Sequence, residues 1–255
     1  MHGGGTATAL FIAILLALGA GRRLGQHVIA KTGAQPQQGI GSLEGAVFAL
    51  LGLLIAFTFS GALQRFDGRR AQAVEEANAI GTAYLRIDAL PAAAQPKLRE
   101  LYRAYTDARL STYRKLPDIA AAHEEVERSQ VLQAEIWRET VAATRLKDAR
   151  PNADLLVLPA VNAMVDITTV RLTATRMHPP SIVYLMLIAL AVAAALLAGY
   201  QQAGEKDYDW VHKIGFATIV SLTVYVILDI EYPRLGLVRI DAIDQLLVDV
   251  RASMK

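Results

Sequence analysis

Cysteine is absent from the 255-residue chain, which removes disulfides, thiolate metal sites, iron–sulfur clusters and cysteine nucleophiles together. Charge is scarce as well. Only 20% of residues are Asp, Glu, Lys or Arg, against 53% hydrophobic, whereas a soluble domain carries about a quarter charged residues. Mean hydropathy is +0.30. The formal net charge is +2, without the clustered basic patch that nucleic acid requires, so nucleic acid is not an expected partner. Catalytic motifs are missing too. The histidines His2, His27, His123, His178 and His212 are scattered and lack HExxH spacing. No glycine-rich phosphate loop follows a strand, and no serine sits in a GxSxG elbow. His123-Glu124-Glu125 reads more simply as a solvated helix face than as a metal site. No enzyme, metal or cofactor is expected.

The chain is rich instead in long runs without charge. About 20 mostly apolar residues cross a bilayer as a helix. Four segments qualify: a short, glycine-led one at about 3–21, then about 44–63, 181–200 and 214–230. The second is uncharged from Gly45 to Leu63. The third follows Pro179-Pro180, which can open a helix but not sit inside one. The fourth carries Asp229 near its far end, and Tyr200, Tyr208 and Trp210 cluster around the third-to-fourth connection as interface aromatics do. The first positive charges, Arg22 and Arg23, follow the first apolar run rather than precede it, so this run reads as a retained span and not a signal peptide. Buried helices of a soluble protein are the alternative, which four charge-free segments argue against.

Between residues 64 and 180 the pattern becomes amphipathic and helical, with Leu98, Leu101, Tyr102, Tyr105 and Ala108 at helical spacing. Pro91, Pro117 and Pro151 mark three stops, and Asp118 is placed to cap a long helix ending near Arg150. A further helix is expected from Asp154 to Met177. No alternating strand pattern occurs. The expected fold is therefore all-α: a four-span membrane protein with a helical extramembrane domain inserted between spans 2 and 3. Its parts are a first hairpin (1–63), the helical domain (64–180), a second hairpin (181–232) and a tail with a short amphipathic helix (233–255). Four crossings put the domain and both termini on one side. That side holds Arg65, Arg69, Arg70, Arg171, Arg176, Arg234 and Arg239 against Arg22, Arg23, Lys31, Lys206 and Lys213 on the other, which favours a cytoplasmic domain and the plasma (inner) membrane.

Polar groups in or beside a membrane are costly and therefore informative. On the second span, Glu44, Leu51, Thr58 and Arg65 are seven residues apart and share a stripe, because seven steps of a helix drift only about 20°. Gln72 and Glu76 prolong it. Such a stripe could line an aqueous path, with Phe48, Leu51 and Ile55 as an apolar constriction; alternatively Glu44 and Arg65 sit in the headgroup zones and Thr58 bonds its own backbone. Ala49, Gly52, Ala56 and Ser60 give another face small residues suited to helix–helix contact. Thr218, Ser221, Tyr225 and Asp229 share a face of the fourth span, and Asp229 could bind a cation or pair with Arg234 or Arg239. Glu75, Glu76, Asn78, Thr82, Arg86 and Asp88 crowd a single segment as an interhelical hydrogen-bond network, a cation cluster or a solvated face, which spacing alone does not separate.

The run FTFSGALQRFDGRRAQAVEEANAIGTAYLRIDALP resembles the signature of the bestrophin-like domain family of bacterial and plastid membrane proteins, and NAMVDITTVRL and LDIEYPRLGLVRID are similar to its closing elements. The resemblance covers about residues 40–245. Bestrophins proper are pentameric anion channels with four spans per subunit and a large cytosolic helical region. The resemblance thus implies a homo-oligomer in the lipid bilayer, with the second span around a central pore and an inorganic ion as permeant. Neither the bestrophin apolar neck nor its acidic calcium clasp has a counterpart at matching positions, so the architecture is transferred and the gating residues are not. The implied roles are pore lining for Phe48, Leu51, Ile55 and Thr58, with Arg65 at the end of the same stripe, and a regulatory or ion cluster at Glu75, Glu76 and Asn78, to which Asp229 is added. The expected function is an oligomeric ion channel. A non-conducting scaffold or sensor is the first alternative and a secondary transporter the next, although no inverted repeat or broken span is visible.

Overall fold

The computed structural model describes residues 3–33, 39–204, 210–233, 236–238 and 241–255, and among them there is helix and no strand. The described residues form eight α-helices in order: α1 (Gly3–Thr32), α2 (Gly39–Leu85), α3 (Gln95–Arg114), α4 (Ile119–Thr144), α5 (Ala153–Ala174), α6 (Ser181–Gln201), α7 (Trp210–Glu231) and α8 (Asp241–Ser253). Short 3₁₀ turns at Arg86–Ala89 and Gln202–Gly204 close α2 and α6. The chain divides into two compact units. One comprises residues 1–66 and 178–237, the other 67–177 and 238–255.

Local sequence accounts for most helix limits. Asp118 is the N-cap of α4, its carboxylate accepting from the Ala121 N–H at 3.1 Å, which satisfies one of the orphan donors of a helix start. Pro96 lies in the first turn of α3, where its missing N–H costs nothing. The long helix after Asp118 stops at Thr144, six residues short of the expected Arg150; turns occupy the intervening segment, and Asn152 takes a left-handed backbone at φ 62° before α5 begins.

Among the described residues five helices, against the four expected, are by length and composition apolar enough to cross a bilayer: α1, α2, α5, α6 and α7. The chain is accordingly a multi-pass membrane protein. The first unit is built from α1, the first part of α2, α6 and α7 around a core of Leu10, Ile14, Leu18, Leu51, Leu187, Ala191, Ala195, Val220 and Val224. Its tightest seam joins α1 to α6. A methyl group on Gly21 would overlap the Leu196 carbonyl, and one on Gly199 would overlap the Leu18 carbonyl. Here glycine permits backbone-to-backbone contact. α1 also runs to Thr32, well past the short span expected near 3–21.

The second unit packs the rest of α2 with α3, α4, α5 and α8 around Ile80, Ile87, Leu98, Tyr102, Tyr105, Ile136, Val161, Met164 and Leu247. α8 docks its apolar face here through Leu247, and its Arg251 meets Asp107 at 2.8 Å.

Candidate functional site

Two buried ionic constellations stand out, one in each unit. In the first unit Glu231, at the end of α7, is fully enclosed. Its carboxylate accepts from Arg65 on α2, with Nε at 2.9 Å and Nη2 at 2.7 Å to Oε2. His178, just ahead of α6, brings Nδ1 to 2.9 Å from Glu231 Oε1 and lays its ring against Tyr232, with centroids 4.4 Å apart. One carboxylate thus ties the end of α7 to the middle of α2 and to the residues just ahead of α6. Nearby in sequence, Asp229 Oδ1 accepts from the Leu237 N–H at 3.1 Å. A side chain at Gly236 would overlap that same oxygen. Asp229 therefore pins the segment that follows α7; Arg234 and Arg239 lie outside the described residues.

The second unit encloses Glu76 completely. Arg109 Nε on α3 donates to Glu76 Oε1 at 2.6 Å, Arg171 on α5 donates to Oε2, and the Tyr113 hydroxyl donates to Oε2 at 3.2 Å while accepting from Arg109 Nη2 at 2.6 Å. The Arg171 guanidinium also lies 4.4 Å from the Tyr113 ring centroid, a cation–π contact. Behind this group, Thr168 Oγ1 gives its proton to the Met164 carbonyl, so the Tyr105 hydroxyl donates to Thr168 at 2.8 Å and accepts from Gln133 at 3.1 Å. Burial alone would raise the Glu76 carboxyl, but the Arg109 and Arg171 guanidiniums outweigh it and hold it below the ordinary carboxylate value. The same burial, with the Glu76 charge adding to it, pushes the Tyr105 phenol up to about 12, and burial likewise raises Tyr113. Both phenols stay protonated.

The residues expected from the sequence fall differently. Leu51 is 3% exposed, Phe48 stacks edge-on with Phe216 at 5.6 Å, and Ile55 packs on the same core. Thr58 donates to the Leu54 carbonyl at 2.8 Å, the backbone-bonding alternative. The seven-residue stripe Glu44, Leu51, Thr58 and Arg65, prolonged by Gln72 and Glu76, is real as a helix face, and its members are buried or half-buried: it is the face by which α2 packs within each unit. Of the expected cluster, Glu76 is enclosed while Glu75 and Asn78 are exposed, and Asp229 belongs to the other unit. Ala49, Gly52, Ala56 and Ser60 are all exposed. Among the described residues no three His, Asp or Glu are grouped so as to hold a metal ion.

Arg109, Tyr113, Arg171 and His178 were not singled out as site residues by sequence. For the arginines a signal existed: Arg109 falls four residues after Tyr105 and Arg171 four after Ile167, both in apolar register. The three runs that carry the family resemblance also supply Arg65, Glu76, Arg171 and Glu231. The model of the bestrophin-like domain matches residues 8–243. The chain belongs to the bestrophin-like family. Nothing among curated proteins and nothing among solved structures matches it. The bestrophin-like family resembles channels rather than enzymes.

Proposed function

We propose that this bestrophin-like chain is one subunit of an oligomeric membrane ion channel, anion-conducting by resemblance, with α2 nearest the axis. One observation carries the reading: the outer face of α2 has no partner among the described residues of its protomer. Leu43, Ala46, Leu50, Leu53, Phe57, Ser60 and Gln64 are exposed at alternating three- and four-residue steps, the spacing of helices that pack side by side. The ridge continues through Asp67, Ala71, Val74, Asn78, Thr82 and Leu85, all exposed. Beside it runs the exposed small-residue stripe Ala49, Gly52, Ala56 and Ser60, which offers grooves to a bulky ridge on a second copy. Lipid alone would ask for no such register beyond the bilayer. In this arrangement the free ridge faces the axis, Thr58 and Arg65 lie to one side of it, and Phe48, Leu51 and Ile55, on the opposite face, hold the protomer together.

Four spans are proposed: α1, the first part of α2, α6 and α7. α5 is assigned to the extramembrane unit despite its apolarity, because its inner face carries Arg171 and Thr168, both bonded to side chains of that unit, and its outer face carries Asp154 and Asp166. The balance of arginine and lysine puts that unit in the cytoplasm.

The decisive experiment combines planar-bilayer recording of the purified protein with crosslinking in membranes. Phe57→Cys should form a disulfide between copies and Leu51→Cys should not, while the unaltered protein gives unitary currents. A monodisperse monomer with no crosslink, or a silent bilayer, would sink the channel reading; silence together with efficient crosslinking would turn it to a non-conducting scaffold.

A further inference from the structure

Within the second unit a cleft of about 340 Å³ lies between the start of α4 and the end of α5. Sites for small molecules run from roughly 300 to 1,000 Å³, so this one is of metabolite size. Its apolar surface comes from Ile119, Ala122, Val126 and Leu172. Ala122 and Val126 are buried members of the unit, which makes that surface a fixed wall.

The polar groups lining the cleft divide into donors and acceptors. Arg176 and Gln130 supply N–H donors, and among the described residues neither side chain has a hydrogen-bond or ion-pair partner. Glu127 and Thr175 supply acceptors. The Glu127 carboxylate is exposed and lies 3.6 Å from His123 Nε2, too far for a hydrogen bond. The Thr175 hydroxyl gives its proton to the Leu172 carbonyl at 2.7 Å, so its oxygen is left to accept. The lining thus holds one guanidinium and one carboxylate, with the His123 imidazole beside the carboxylate. A simple anion would meet Glu127, and a simple cation would meet Arg176. A molecule carrying both charges satisfies both.

We infer that this cleft binds a small zwitterion, an α-amino acid with an aliphatic side chain. The ligand carboxylate takes the Arg176 guanidinium, whose planar fork matches it, and the Gln130 amide. The ligand ammonium donates to Glu127 and to the Thr175 oxygen, and the aliphatic group covers Ala122, Val126 and Leu172. All of these residues belong to the second unit, so the inference does not rest on conduction and holds equally for a scaffold.

The test titrates the full chain in detergent with L-leucine by calorimetry. Saturable binding is expected at millimolar concentration or below. Isocaproate, which lacks the ammonium, and isoamylamine, which lacks the carboxylate, should each bind about tenfold more weakly, the worth of one charge-assisted hydrogen bond. Arg176→Gln and Glu127→Gln alter exposed positions, where substitution leaves the fold intact, and each should weaken leucine by about tenfold. Glu127→Gln should also remove the preference for leucine over isocaproate, which general loosening of the cleft would not do. Phosphoethanolamine carries the same pair of charges without the aliphatic group; if it binds and leucine does not, the ligand is a lipid headgroup and the amino-acid class is overturned. Absence of saturable leucine binding overturns the inference, as does leucine binding that both variants leave unchanged.

Discussion

At the scale of single residues, Glu76 joins α2 to α3 and α5 through its bonds to Arg109 and Arg171. Glu76→Gln keeps the shape but leaves two buried guanidiniums without a counter-ion, and should destabilise the protein by about 3–5 kcal/mol in thermal or denaturant melts. The pH dependence has a definite sign. The carboxyl is held below its ordinary value in the folded protein, so its contribution is complete above the ordinary carboxylate range and is lost as pH falls through the folded value. Acid titration of the melting midpoint should show this component in the unaltered protein and not in Glu76→Gln. A second residue-scale test lies in the first unit. Gly199→Ala places a methyl on the Leu18 carbonyl, whereas a methyl at Gly19 meets nothing within 4 Å. The first should cost about 1–3 kcal/mol through overpacking, and Gly19→Ala should leave the midpoint unchanged or slightly higher.

At the scale of elements, termini marked by short polar side chains were legible in the sequence. Asp118 is such a marker, and Asp118→Ala should cost about 1 kcal/mol while Asp118→Asn retains the cap; differential melting distinguishes them. Less legible was which side of α2 faces inward. Hydropathy around its first part is nearly uniform, so a periodic polar residue such as Thr58 stands out, yet its hydroxyl is satisfied by the Leu54 carbonyl and carries no directional information. Glu75 and Glu76 present the same difficulty one residue apart. Identical chemistry gives one solvated and one enclosed carboxylate, and only the arginines that α3 and α5 bring in tell them apart. Those arginines were recoverable in principle, because each falls where the helical repeat calls for an apolar side chain. The close approach of α1 to α6 also left a trace, Gly21 and Gly25 four apart, overshadowed by the two arginines that follow Gly21.

At the scale of the whole molecule, the helical class, the bestrophin-like family and the membrane setting were all readable from composition and from three short runs. The number of crossings was less so, since α5 satisfies length and hydropathy while carrying Arg171 into a buried ion pair. The absence of cysteine makes this directly testable. Single cysteines can be introduced with no background, and Leu155→Cys, 71% exposed on α5, should react with a membrane-impermeant maleimide in inside-out vesicles and not in intact cells. Ile219→Cys, 67% exposed near the middle of α7, should resist the reagent from either face. Labelling of Leu155→Cys from outside would reverse the proposed orientation, and protection from both sides would make α5 a fifth crossing.

The glycine contact between α1 and α6 also leaves no space between these two helices. Along the stretch where Leu18 and Leu196 carbonyls lie against Gly199 and Gly21, nothing thicker than main chain separates the two helices. No acyl chain can wedge there and no hydrated ion can slip between them. The pore of the proposed channel is therefore bordered by other helices, and the α1–α6 seam belongs to the wall of the protomer.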